Sequence, residues 1–171
     1  MGNQLLIVKN AEYTFSTEFL PYAIEKIKIP ITTPLTFPFF NNSELLLIFD
    51  KNNQWNPIGG HIEADETWQE ALKRECLEEA GITIANLTTI GYLEVKHLEK
   101  LTNSKYPAVS AIPIVISTIL QQIPMMISEK SINNRRVTVE EARKLLATRS
   151  DNLQMLNIFN HSYEKYKSLN K

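Results

Sequence analysis

Gly59-Gly60-His61-Ile62-Glu63-Ala64-Asp65-Glu66-Thr67 leads directly into Trp68-Gln69-Glu70-Ala71-Leu72-Lys73-Arg74-Glu75-Cys76-Leu77-Glu78-Glu79-Ala80-Gly81-Ile82. Thr67 with Glu70 three residues on makes a capping box, which predicts a helix over about 68–80. Gly81 stands where a left-handed residue ends a helix. At about 100° per residue, Trp68, Ala71 and Leu72 fall within about 60° of Glu75 and define the inward face. The same face continues as Glu75, Glu78 and Glu79, so an apolar stripe turns into three carboxylates near the helix end. Like charges at these spacings repel, and they stand at the negative end of the helix dipole. A solvated acidic face tolerates such a run. An inward-facing one needs positive charge, and oxygen ligands without thiolate suit a hard divalent cation such as Mg²⁺ or Mn²⁺.

The flanking sequence predicts strands mixed with helices. Leu45-Leu46-Leu47-Ile48-Phe49, bounded by turn residues, reads as a buried strand. Leu5–Val8 reads as a strand and 17–29 as a short helix with Pro21 in its first turn. Pro34 and Pro38 within 31–40 point to an edge strand or an irregular lead-in. Strands are expected near 87–96 and 108–120, with Pro113 marking a bulge or an edge. Thr138 and Glu141 form a second capping box for a helix through about Leu146. Asp151 is expected to cap a last helix striped by Leu153, Leu156, Phe159, Tyr163 and Tyr166, which serve either the core or a homodimer contact. This pattern is that of an α/β or α+β layered protein.

From Gly60 the spacing is five residues, Glu66, seven residues, then Arg74-Glu75-Cys76-Leu77-Glu78-Glu79-Ala80-Gly81-Ile82. This stretch resembles the complete signature of the Nudix hydrolases. The resemblance implies an α/β/α sandwich with a mixed sheet, a loop–helix–loop metal site, and cleavage of a pyrophosphate bond in a nucleoside diphosphate derivative. It implies that Glu75, Glu78, Glu79 and the Gly60 carbonyl bind metal, that Glu66 and Arg74 brace the loop against the helix, and that Gly81 ends the helix. In the family the base that takes the proton of the attacking water is either a signature glutamate or a glutamate from a distant loop. Glu129 is the candidate for the latter, with Glu94 and Glu99 behind it. Relatives have proline directly before the paired glycines, whereas here Ile58 intervenes after Pro57. Family members acting on ADP-ribose or dinucleoside polyphosphates carry a proline or tyrosine downstream, where this chain has Lys96-His97-Leu98-Glu99. By elimination the expected substrate is a (deoxy)nucleoside triphosphate. The alternative is a catalytically silent Nudix domain that binds a nucleotide as a sensor.

Composition bounds the partners. The chain has 171 residues, 43% hydrophobic and 22% charged, which fits one domain: a core over about 31–146, an extension over 1–30 and a C-terminal helix over about 151–169. Eighteen Lys and Arg against nineteen Asp and Glu exclude binding of a nucleic-acid polymer by bulk charge. No apolar run is long enough for a membrane helix, and no basic n-region opens the chain, so the expectation is a cytoplasmic protein. Cys76 is expected in the core, and His61 as a hydrogen-bonded loop residue. Phe39, Tyr92 and Tyr106 are candidates to stack on a nucleobase, and Lys96 and Lys105 flank a polar stretch that could close over phosphates.

Overall fold

The computed structural model describes residues 5–9, 14–24, 27–98, 107–123 and 131–171. In chain order the elements are β1 (Leu5–Lys9), β2 (Thr14–Leu20), β3 (Leu35–Asn41), β4 (Glu44–Asp50), β5 (Trp55–Asn56), β6 (Ile58–Gly59), α1 (Trp68–Ala80), β7 (Ile82–His97), β8 (Val109–Gln122), β9 (Ser131–Thr138), α2 (Val139–Leu146) and α3 (Asn152–Leu169). The strands form one mixed sheet in the order β1-β2-β7-β8-β3-β4-β5, with β6 on β3 and β9 on β4. Pairing of β3 with β8 is parallel, and the other strand pairs are antiparallel.

Burial on both faces explains why β4 reads as a continuous apolar run. Leu45 and Leu47 join a cluster with Val139, Ala142 and Leu146 of α2 and Met155, Ile158 and Phe159 of α3. Leu46 and Ile48 point the other way, into a cluster with Leu72, Cys76 and Ala80 of α1. In β8, Ile114 and Ile116 alternate with Val115 in the same manner. The architecture is therefore an α/β/α sandwich, with α1 on one face and α2 and α3 on the other. Cys76 is fully buried, and its burial pushes the thiol pKa up, with Glu79 and Glu75 adding to the effect.

Several expectations need correction. Residues 14–20 are strand β2, not part of a helix: Phe15, Thr17 and Phe19 pair with His97, Val95 and Leu93 of β7. The alternation of aromatic and β-branched residues prevails there over the helix signal around Pro21. β3 lies inside the sheet, not at an edge. Pro38 falls between the residues that pair with β6 (Leu35, Thr36) and those that pair with β4 (Phe39, Asn41), so no ladder partner on that side needs its missing N–H. β7 begins at Ile82, immediately after α1, and carries a register shift between Thr89 and Gly91, beside the Tyr92↔Pro113 pair. Asp151 makes no side-chain cap; its carboxylate takes the Arg149 guanidinium at 2.6 and 2.9 Å. The buried side of α3 is Met155, Ile158, Phe159, Ser162 and Tyr166, while Leu153 is exposed. Phe39 and Tyr92 are buried, Phe39 stacked on Tyr166 at 4.2 Å between ring centroids, and neither lines the cleft.

Replacing Leu46 by alanine leaves a cavity between β4 and α1. The expected cost is about 2–5 kcal/mol, read as a lower urea midpoint at an unchanged slope.

Candidate functional site

α1 is set by local signals at both ends. The Thr67 hydroxyl accepts from the Glu70 N–H, while the Glu70 carboxylate takes the Thr67 N–H at 2.8 Å and the Thr67 hydroxyl at 2.6 Å. Those bonds hold the Glu70 carboxyl below its ordinary range. Gly81, at φ 63° and ψ 31°, closes the helix, and its N–H bonds to the Leu77 carbonyl at 3.0 Å.

Arg74 ties the loop before α1 to the helix. Its Nε and Nη2 grip the two oxygens of Glu66 at 2.9 and 3.0 Å, Nη2 also donates to the His61 carbonyl at 3.0 Å, and Nη1 donates to Glu75 Oε1 at 2.7 Å. Glu66 Oε2 in turn accepts the Glu63 N–H at 3.1 Å. The hydrogen bonds to Glu66 raise the Arg74 pKa still further. Glu70, i−4 from Arg74, is occupied by the cap instead. A Cβ at position 60 would lie 2.1 Å from Glu75 Oε1, so any other residue there displaces the Glu75 carboxylate. The loop backbone and the Glu75 carboxylate are thus in close contact.

Glu75 and Glu79 are only 4% and 7% exposed, yet both line a cleft of about 500 Å³ with Gly59, Gly60, His61, Glu63 and Lys51. Glu78 departs from the inward triad expected of the helix face. Its side chain is 41% exposed, with Oε2 3.4 Å from Arg74 Nη1, and it does not line the cleft. Position 78 shares the helix face with 75 and 79, but its carboxylate stands exposed, with Oε2 facing the same Arg74 Nη1 that donates to Glu75. Accordingly, no three His, Cys, Asp or Glu side chains among the described residues are gathered closely enough to hold one ion. Glu94 pairs with Lys96 on β7, away from the cleft lining. Glu129, Glu99, Lys105 and Tyr106 lie outside the described residues.

Lys51, in the turn after β4, is a cleft residue that sequence reasoning missed. Its signal was the Asp50-Lys51-Asn52-Asn53 turn, which brings the chain back toward the Gly59-Gly60 loop. A second, smaller pocket adjoins through His61, which lines both.

The NUDIX domain pattern matches residues 35–156. The chain belongs to the Nudix family. A stretch of 45 residues is 38% identical to the oxidized purine nucleoside triphosphate hydrolase of Danio rerio, and one of 40 residues is 38% identical to that of Mus musculus. These stretches span 29% and 26% of those relatives and 26% and 23% of this chain. In structure the chain is similar to the Bacillus subtilis pyrophosphohydrolase BsRppH, at 15% identity and a TM-score of 0.65 over 97% of this chain and 99% of the other.

The two carboxylates on Arg74 differ in burial, and so should their effect on stability. Glu66→Gln is expected to cost about 1–3 kcal/mol in urea unfolding, because it breaks a bidentate, mostly buried pair. Glu78→Gln, at an exposed pair, is expected to cost less than about 1 kcal/mol.

Proposed function

We propose that this Nudix protein is a divalent-metal-dependent pyrophosphohydrolase acting on a nucleoside triphosphate or a related nucleoside diphosphate derivative. The observation that carries the reading is the pair of buried carboxylates, Glu75 and Glu79, facing one cleft beside the Gly60 backbone. Burial of acidic groups is costly without compensating charge. Against Glu63, Glu66, Glu75, Glu78 and Glu79, the described cleft and its loop set only Arg74 and Lys51. All these donors are hard oxygens, so the residues present fit Mg²⁺ or Mn²⁺. In this reading Glu75, Glu79 and the Gly60 carbonyl would hold the cation, and Glu78, exposed in this structure, would join them by turning its side chain inward.

A bound divalent cation supplies Lewis acidity toward phosphate oxygens and makes water a better nucleophile at neutral pH. The chain's own residues do the rest. Lys51 offers a positive charge on the cleft lining to a phosphate oxygen. The Arg74–Glu66 clamp fixes the loop so that the Gly60 backbone and Glu75 keep their approach when substrate enters. The proton of the attacking water goes to a carboxylate, which we assign to the signature glutamates, with Glu129 as the distal candidate. The name of the curated relatives supports a purine nucleoside triphosphate, oxidised on its base, as the substrate to try first. We place the whole of 1–171 in one functional domain, a reading supported by Phe19 of β2 and Tyr166 of α3 sharing a cluster with Phe37.

A panel of nucleoside triphosphates and diphosphate-linked nucleotides, assayed for released phosphate and pyrophosphate, is expected to show turnover with Mg²⁺ or Mn²⁺ and none in excess EDTA. Glu75→Gln and Glu79→Gln are each expected to lower kcat by at least about a hundredfold while circular dichroism stays native. Near-native turnover in both variants would refute the assignment. Nucleotide-dependent thermal stabilisation without any turnover would instead identify a silent, nucleotide-sensing domain.

A further inference from the structure

A guanidinium from the turn between α2 and α3 reaches the strand that joins the two walls of the cleft. It belongs to Arg149, whose side chain is only 10% exposed. Asp151 takes its Nε and Nη2 at 2.6 and 2.9 Å. The remaining nitrogen, Nη1, donates to the Trp55 carbonyl at 3.1 Å and to Asn56 Oδ1. Both of those acceptors belong to β5.

Lys51 and Gly59 both line the cleft, and β5 lies on the chain between them. Gly59 is held by β6 on β3, whereas β5 has a ladder of two residue pairs, Ile48↔Asn56 and Phe49↔Trp55, to β4. From Asn56 the hydrogen bonds continue toward Lys51. Asn56 Nδ2 donates to the Gln54 carbonyl at 3.0 Å, and that carbonyl also accepts the Asp50 N–H at 3.0 Å. Asp50 Oδ1 then accepts the N–H of Asn52 at 2.9 Å and that of Gln54 at 3.0 Å. Asn53, at φ 59°, turns the chain, and its N–H bonds to the Asp50 carbonyl at 3.1 Å. Lys51 stands inside this closed turn.

Stability alone is a poor reason for such a tie. A buried ion pair adds little net stability, because desolvation offsets the attraction, and an apolar contact would join the α2–α3 turn to β5 at smaller cost. What a guanidinium adds is direction. With two of its nitrogens fixed by Asp151, the third points at one carbonyl and one amide oxygen of β5. Lys51 itself is exposed and carries its charge on a flexible stem, so the turn beneath it decides where that charge is delivered.

We propose that Arg149, held by Asp151, is a positioning residue for phosphate binding. It fixes β5 and, through Asn56, Gln54 and Asp50, the turn that presents Lys51 to the cleft. The inference rests on the pyrophosphohydrolase reading, in which Lys51 meets a phosphate oxygen, and adds what holds Lys51 in place. Arg149 touches no substrate in this account; it acts through Lys51.

The first test needs no turnover. Calorimetry with Mg²⁺ gives the Kd of adenosine and guanosine triphosphates that carry imido groups at both phosphate bridges. Lys51→Met is expected to raise Kd about tenfold. Arg149→Met combined with Asp151→Asn removes the pair without leaving an unpaired charge, and is expected to raise Kd about threefold to tenfold. Adding Lys51→Met to that pair is expected to raise Kd no more than about twofold beyond Lys51→Met alone, because the two act on one contact. Wild-type affinity in Lys51→Met or in the paired variant overturns the proposal, as does a combined loss equal to the product of the two. If the paired variant does not fold, Asn56→Ala cuts the same path at a half-buried side chain and is judged by the same outcomes. The second test is kinetic: the paired variant is expected to raise KM for the best triphosphate by more than it lowers kcat. A lowered kcat with KM unmoved overturns the positioning role. Binding of neither analogue by the wild type overturns both readings, and binding without turnover of any nucleotide refutes the hydrolase reading alone.

Discussion

The contact on which the site depends is the grip of one guanidinium on two carboxylates from different parts of the chain. Arg74 takes both oxygens of Glu66 from the loop and one oxygen of Glu75 from its own helix. Without that cation, Glu66 and Glu75 would repel across the gap the loop has to close. With it, the loop is drawn down until the Gly60 backbone meets Glu75, a separation at which any side chain at 60 would displace the Glu75 carboxylate. A planar guanidinium with five donors can serve Glu66, Glu75 and the His61 carbonyl together, which a lysine ammonium at the same place could not match in geometry.

The sheet supplies the frame for that contact. Because β4 and β8 are buried on both faces, α1 packs on one side as a fixed body, held by Leu72, Cys76 and Ala80. Ile82 opens β7 straight after Gly81, so the carboxylate end of α1 is anchored to the longest strand. The loop side is anchored by β6, whose Ile58 and Gly59 pair with Thr36 and Leu35. The shift of proline from position 58 to 57 is absorbed here: Pro57 falls between β5 on β4 and β6 on β3, and Ile58 is a fully buried strand residue.

What was legible in the sequence is what local chemistry decides. Both capping boxes, the left-handed Gly81 and the buried run of β4 are each fixed within a few residues, and each was readable. β2 was not, because its stability comes from pairing with β7 some eighty residues away (Phe15 with His97, Leu20 with Tyr92). Pro38 misled for the same reason, since its neighbours on the sheet are fixed by where β4 and β6 divide the edge of β3. At the site, the helical wheel placed Glu75 and Glu79 correctly but also turned Glu78 inward. The wheel gives only an angle about the helix axis, and the Glu78 side chain stands exposed beyond the cleft lining. The setting of Lys51 and of the smaller pocket beside His61 depends on chain segments brought together only by the sheet.

The two shorter helices of the chain make the case for α1 by contrast. α2 follows the dipole rule, with Glu140 and Glu141 in its first turn and Arg143 and Lys144 in its last. α1 has an equally good N-terminal box but no basic residue in its last turn, where Glu78 and Glu79 stand. The two helices pack on opposite faces of the same sheet, and the end of α1 alone of the two lines the cleft. A sequence tuned for helix stability alone would place lysine or arginine at 78 or 79, as α2 does at the corresponding end. Carboxylates placed against the dipole, one of them buried beside a second buried carboxylate, are a standing cost to the fold. The proposed divalent cation would offset that cost, and it is at this end of α1 that the loop, the cleft and Lys51 meet.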